Sequence, residues 1–126
     1  MRTSRFYCGQ IVWASVFDGR HKTKVRRVLI ADQEFDYDVT GEILIIPFST
    51  SEVIPCPYYH VEINGDEADS ECPSLPERCW AKCDGAELIS IERITGSAGA
   101  MPDAPFLLIK DAFARMLGDP KVKWWS

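Results

Sequence analysis

No apolar run in this 126-residue sequence approaches the roughly 18 residues needed to cross a bilayer as a helix, and the longest, residues 43–48, is the length of a strand. Met1, Arg2, Thr3, Ser4, Arg5 and Phe6 are basic overall, but polar and charged residues follow where a secretory signal needs its apolar stretch, so the expected location is the cytoplasm. Positive charge is also in short supply. Lys and Arg number 14 against 19 Asp and Glu, a formal net charge of -5, which excludes a protein that grips nucleic acid over its whole surface. The five cysteines are odd in number and contain no CxxC pair, which argues against a closed disulfide framework and against a zinc ribbon. An internal repeat is absent as well.

What is present is the composition of one globular domain spanning 1–126, with 46% hydrophobic and 26% charged residues. Its charge is unevenly spread. Arg20, His21, Lys22, Lys24, Arg26 and Arg27 form a basic segment, while the acids concentrate in 32–38 and 66–71. Such a chain can carry a local basic patch on an acidic body.

Gln10–Phe17 alternates and is rich in β-branched and aromatic residues, and 25–31 and 42–48 are short apolar runs of the kind buried strands show. The intervening 32–41 reads as a hairpin-type connection. Further strands are predicted over 58–63, ending at Asn64-Gly65, and as a pair over 78–82 and 87–91 separated by Asp84-Gly85, with a long exposed loop over 66–77. The Gly, Ala and Pro of 95–105 read as a linker. Phe106, Ile109, Lys110, Phe113, Met116 and Leu117 then follow helical spacing, so a helix is predicted over about 104–117 with Gly118 at its stop and a tail over 118–126. Many short strands closed by one helix indicate a mainly β protein, a small strongly curved sheet or barrel of about five to seven strands.

Gly9-Gln10-Ile11-Val12 leads the first strand, Arg26-Arg27-Val28-Leu29-Ile30 enters the second, Ile45-Ile46-Pro47-Phe48-Ser49 ends the third, and Lys82-Cys83-Asp84 runs toward Leu88-Ile89-Ser90. In this order, over roughly residues 9–117, the pieces resemble the MazF/PemK-type growth-inhibitor toxins of type II toxin–antitoxin systems. The resemblance implies an SH3-like, PemK-like barrel, usually a homodimer. It also implies a metal-independent endoribonuclease, without cofactor, that cuts single-stranded RNA and is neutralised by an antitoxin protein. In such a reaction the ribose 2′-OH attacks the adjacent phosphorus, so the site must take up one proton, supply another and stabilise a dianionic phosphorane.

On that pattern Arg26 matches the family's arginine, and a guanidinium suits phosphorane charge because it presents several fixed donors and stays charged. Its structural alternative is an ion pair with Asp32 or Glu34. Arg27 stands where the family carries proline and is a second candidate anion contact. Ser49 matches the hydroxyl at the end of the third strand, a role open to Thr50 or Ser51, and all three are also ordinary turn residues. His21 lies in the first loop, where some relatives carry a histidine, and a proton shuttle is the role expected of it. That loop reads Asp18-Gly19-Arg20-His21-Lys22, without the glutamate many relatives have. Asp84 aligns with an acidic residue that acts in catalysis in one branch, and Lys82 with a basic one; plain alternation puts the two on one strand face. Trp13, Tyr58, Tyr59 and Trp80 are the aromatics available to stack on RNA bases; most are expected in the core of a small barrel, and Trp80 is the one expected to be exposed.

Two other readings compete with the nuclease. One is a non-catalytic barrel of the same fold that binds a protein or nucleic-acid partner. The other is a zinc module built from Cys56, His60, Cys72, Cys79 and Cys83, whose thiolate and imidazole chemistry suits zinc.

Overall fold

In a computed structural model, which describes residues 6–17, 23–31, 41–64, 75 and 78–122, the elements run β1 (Gln10–Phe17), β2 (Thr23–Ile30), β3 (Glu42–Ser49), β4 (His60–Ile63), β5 (Cys79–Lys82), β6 (Glu87–Ser90), β7 (Ile94–Ala100) and α1 (Asp103–Leu117). The strands form one 7-stranded sheet in the order β4-β5-β3-β2-β1-β7, with β6 also paired to β3, and every pairing is antiparallel. The architecture is mainly β with a C-terminal helix, as the sequence indicated.

Alternation divides the interior between the sheet's faces. Val12, Ala14 and Val16 of β1, Val28 and Ile30 of β2, and Ile43 and Ile45 of β3 gather with Ile89 on one side. Ile11, Leu29, Ile46 and Phe48 point the other way, joining Ile63, Cys79 and Ala81 under Ile109, Ala112 and Met116 of the helix. Where both faces are covered, at 28–30 of β2 and 43–48 of β3, the strands read as unbroken apolar runs. The helix supports this second cluster with Pro105, Ile109, Ala112 and Met116, buried at intervals of three and four residues. Asp103 lies in its first turn and Arg115 in its last, each favourable to the helix dipole.

Gly9 shows why the first strand opens on glycine. Its N–H donates to the Ile30 carbonyl and its own carbonyl accepts from Met101 N–H, both at 2.8 Å. Its φ is +95°, and a Cβ there would meet the Phe106 ring at 3.2 Å, so a side chain would clash with the backbone demanded and the helix start together.

Three expectations change. Residues 94–100 are not a linker but the edge strand β7, whose pairing with β1 shifts register between Ile11 and Val12 and again between Trp13 and Ala14. Gly96 and Gly99 hide this strand from a reading based on side chains, and an edge strand with irregular register tolerates them. Second, β5 and β6 are not a hairpin pair; both pair with β3, β5 at Phe48 and Ser49 and β6 over Glu42 to Ile45. Third, the strand ends at Lys82, and Cys83–Gly85 forms a 3-10 turn, so Lys82 and Asp84 do not share a strand face.

The pairing of β3 changes along its length. Ile45 is bracketed by Glu87 of β6 and Ile30 of β2, but the ladder with β2 stops at Val28 opposite Pro47. Proline has no N–H to extend it. Beyond that point β3 holds β5, while β2 carries Arg27 and Arg26 away as its outer end. An opening results between the strands.

Candidate functional site

Extending the Val28–Pro47 register by two residues sets Arg26 opposite Ser49, so alternation brings both side chains to the same face of the sheet. The surfaces there agree. Arg26, Phe48 and Ser49 line a cleft of about 300 Å³ together with Val16, Ile45, Pro47, Lys82, Gly85 and Glu87. The same three residues also line a second cleft, of about 220 Å³, whose other walls are Trp13, Val25, Arg27, Thr50, Leu75 and Cys79. The first cleft is on the face of Val16 and Ile45, the second on the face of Phe48 and Cys79. Arg26 and Ser49 thus stand at a gap reached from both sides.

Each element contributes for a local reason. The Ser49 Oγ accepts a hydrogen bond from Ser51 N–H at 3.1 Å, which fixes its orientation and leaves its own proton to donate to an anion. Arg26 is exposed, and no described carboxylate is within ion-pair distance of it; Asp32 and Glu34, its expected structural partners, lie outside the described residues. Lys82 reaches the cleft from the end of β5. Gly85 is required beside it, because a Cβ at that position would come within 2.9 Å of the Pro47 Cγ. Glu87, opposite Ile45 on β6, brings a carboxylate to the same cleft and was not singled out from the sequence. Only pairing of β6 with β3 makes it a neighbour of Arg26, and no local motif announces that pairing.

Asp84 faces elsewhere. Its Oδ1 is 2.8 Å from the Nε2 of His60, whose side chain is 6% exposed, and Asp84 lines neither cleft. The buried His60 Nδ1 has no hydrogen-bond partner among the described residues. The pair ties the 3-10 turn to β4. Trp80, expected at the surface, is 5% exposed with the Arg78 guanidinium 5.0 Å above its ring, while Arg78 itself is held by Glu62 at 2.8 Å. The Arg78 guanidinium covers the indole, which lines neither cleft. The exposed indole at the opening is instead Trp13, and Arg27 sits 5.1 Å from its ring centre. His21 lies outside the described residues.

The cysteines are dispersed in role. Cys56 is exposed, whereas Cys79 and Cys83 are buried, and Cys72 lies outside the described residues. Burial first, and the Asp84 charge second, push the Cys83 thiol up to about 12, so it stays protonated and donates to the Ile109 carbonyl at 3.9 Å. Among the described residues no three His, Cys, Asp or Glu side chains gather as a metal-binding group.

Against this geometry, the family model described as PemK-like, MazF-like toxin of type II toxin-antitoxin system matches residues 7–117. The chain belongs to this toxin family. Its fold is shared by solved members. MazF from Deinococcus radiodurans superposes with a TM-score of 0.69 at 13% identity, covering 93% of this chain and 100% of that one. The MazE-MazF structure from the same organism gives 0.68 at 14%, covering 91% and 98%. An endoribonuclease in complex with its cognate antitoxin, from a mycobacterial species, gives 0.64 at 18%, covering 91% and 97%. A comparison of this toxin-family sequence with curated proteins gave no match.

Proposed function

We propose that this chain is an endoribonuclease that cleaves single-stranded RNA by internal attack of a ribose 2′-OH, without a metal ion. The observation that carries the reading is the convergence of Arg26 and Ser49 at one opening, with Lys82 beside them. Arg26 donates to the non-bridging oxygens, whose charge grows as phosphorus becomes five-coordinate, and Ser49 donates its remaining proton to the same group. Lys82 adds a second positive charge. Arg27 and Thr50, on the other side of the gap, hold the flanking nucleotide.

Proton removal from the 2′-OH we assign to Glu87, the carboxylate lining the charged cleft. The leaving 5′-oxygen takes a proton from His21, which remains the expected donor. The 2′-oxygen bonds to phosphorus as the bond to the 5′-oxygen breaks, giving a 2′,3′-cyclic phosphate and a free 5′-OH. Asp84 acts at one remove, holding the turn that carries Gly85 through His60.

We further propose that the chain works as a homodimer and is neutralised by an antitoxin protein. Relatives solved with MazE or a cognate antitoxin support that partner. No described helix is long and apolar enough to cross a membrane, and the cytoplasm remains the proposed location.

The test is purified protein incubated with total RNA in EDTA beside Arg26→Ala. Cyclic phosphate ends from the wild type and none from the variant support the nuclease. RNA that is bound but uncut by the wild type means the non-catalytic barrel.

A further inference from the structure

We infer that Arg78 is a positioning residue for Ser49: it clamps the segment leaving β3 against β4, and so fixes where the Ser49 hydroxyl stands in the opening. The inference rests on the ribonuclease reading above and extends it to a side chain that lines neither cleft.

Topology creates the need for a clamp. Ser49 is the last paired residue of β3, held by β5 after β2 has left, and Thr50 and Ser51 beyond it are exposed. The bond from Ser51 N–H to Ser49 Oγ orients the hydroxyl only as well as the chain after Ser49 is itself held.

Arg78 supplies that hold. Its Nε donates to Glu62 Oε2 of β4 at 2.8 Å, and its Nη2 stands 2.8 Å from the same oxygen, so two contacts fix the guanidinium plane. The same Nη2 is 4.0 Å from Oε1 of Glu52, three residues past Ser49. Beneath the plane lies Trp80, 5.0 Å away, which is the register partner of Ser49 on one side and of Glu62 on the other. Ser49, Trp80 and Glu62 therefore form one row across three strands, with Arg78 over its middle. One cation ties the start of the loop to the frame of β4 and β5.

The exposure of this network says what it is for. The side chains of Arg78, Glu62 and Glu52 are 56%, 47% and 40% exposed, and ion pairs so open to water contribute little to stability. Rate is far more sensitive to position. A displacement of about 1 Å in a reacting group can cost about a hundredfold, so a contact too weak to matter for folding still matters for Ser49.

The test measures single-turnover cleavage of a defined single-stranded RNA in EDTA by the full chain, Arg78→Met, Glu52→Gln, and each of these combined with Ser49→Ala. Arg78→Met should cleave roughly tenfold more slowly at saturating RNA, with a melting temperature close to wild type. Glu52→Gln should also be slower, although removing an acid favours RNA binding. Neither change should slow Ser49→Ala further, because a residue that acts through Ser49 has nothing left to position. In both single variants the Ser51 amide should exchange faster with solvent. A wild-type rate at saturating RNA in folded Arg78→Met overturns the inference, and so does a full further loss on top of Ser49→Ala. Weaker RNA binding with an unchanged saturating rate also overturns it, since Arg78 is then a phosphate contact. If the wild type cuts no RNA, the nuclease reading falls and Ser51 exchange decides the clamp: faster exchange in both variants keeps it, and unchanged exchange removes it.

Discussion

From Glu42 to Ile45, β3 is hydrogen-bonded to β6 and meets β2 from Ile45 to Pro47, and its inward side chains are buried; at Phe48 and Ser49 it has left β2 and holds β5 on one edge. The first half buries Ile43 and Ile45 at 1% exposure each, whereas the second ends in a half-buried serine facing an exposed arginine. One strand therefore serves stability at its start and, on the function proposed above, chemistry at its end. The change falls at Pro47, which lacks the donor that continued pairing with β2 needs.

If that division is sound, substitutions in the two halves should fail in different assays. The largest effect on folding is expected from Ile43→Ala, which removes buried volume from the closed half; chemical denaturation should show a loss of about 2–5 kcal/mol, with cleavage by the folded fraction unchanged. Glu87→Gln belongs to the open half and should invert the pattern. A loss of roughly a hundredfold in single-turnover cleavage is expected, with stability within about 0.5 kcal/mol of wild type. Gly85→Ala sharpens the boundary itself, because its Cβ would lie 2.9 Å from Pro47 Cγ. It should cost about 1–3 kcal/mol and also lower cleavage by displacing the adjoining turn, a joint failure that neither half shows alone.

The smallest effect is expected outside both halves, at the Tyr58–Asp119 contact of 2.8 Å, which serves as a control. The Lys121 backbone N–H first, and the Tyr58 hydroxyl second, hold Asp119 below its ordinary value. A depressed carboxylate contributes stability above its unfolded value of about 4 and loses it as pH falls through the native one. Tyr58→Phe should therefore flatten the acid limb of the stability profile slightly and leave cleavage unchanged. A change in cleavage would show that the division between the halves of β3 is incomplete.

Much of the frame was legible because it follows from side-chain pattern. Alternation in 10–17, apolar runs in 25–31 and 42–48, and helical spacing in 106–117 each report burial directly. The strand β7 was hidden because Gly96, Gly99 and the alanines carry no burial signal; its position is set by backbone pairing with β1. The site divides in the same way. Arg26, inside β2, and Ser49, at the end of β3, could be named from their match to the family's pattern, and Lys82 likewise. Glu87 could not, because it depends on β6 aligning along β3; Trp13 was among the aromatics named, but its exposure in place of Trp80 depends on which rim the opening leaves exposed. Asp84 was drawn away from the cleft by a buried histidine on β4, and Trp80 is covered by the Arg78 guanidinium that Glu62 of β4 holds, both long-range consequences of topology.

The most direct test of the central claim is a comparison of wild type, Arg26→Ala and Ser49→Ala on a defined single-stranded RNA in EDTA, with thermal melts of all three. The account predicts that Arg26→Ala lowers cleavage by about 10²–10³-fold and Ser49→Ala by less, with melting temperatures close to wild type. Cleavage that persists at the wild-type rate in folded Arg26→Ala would contradict it.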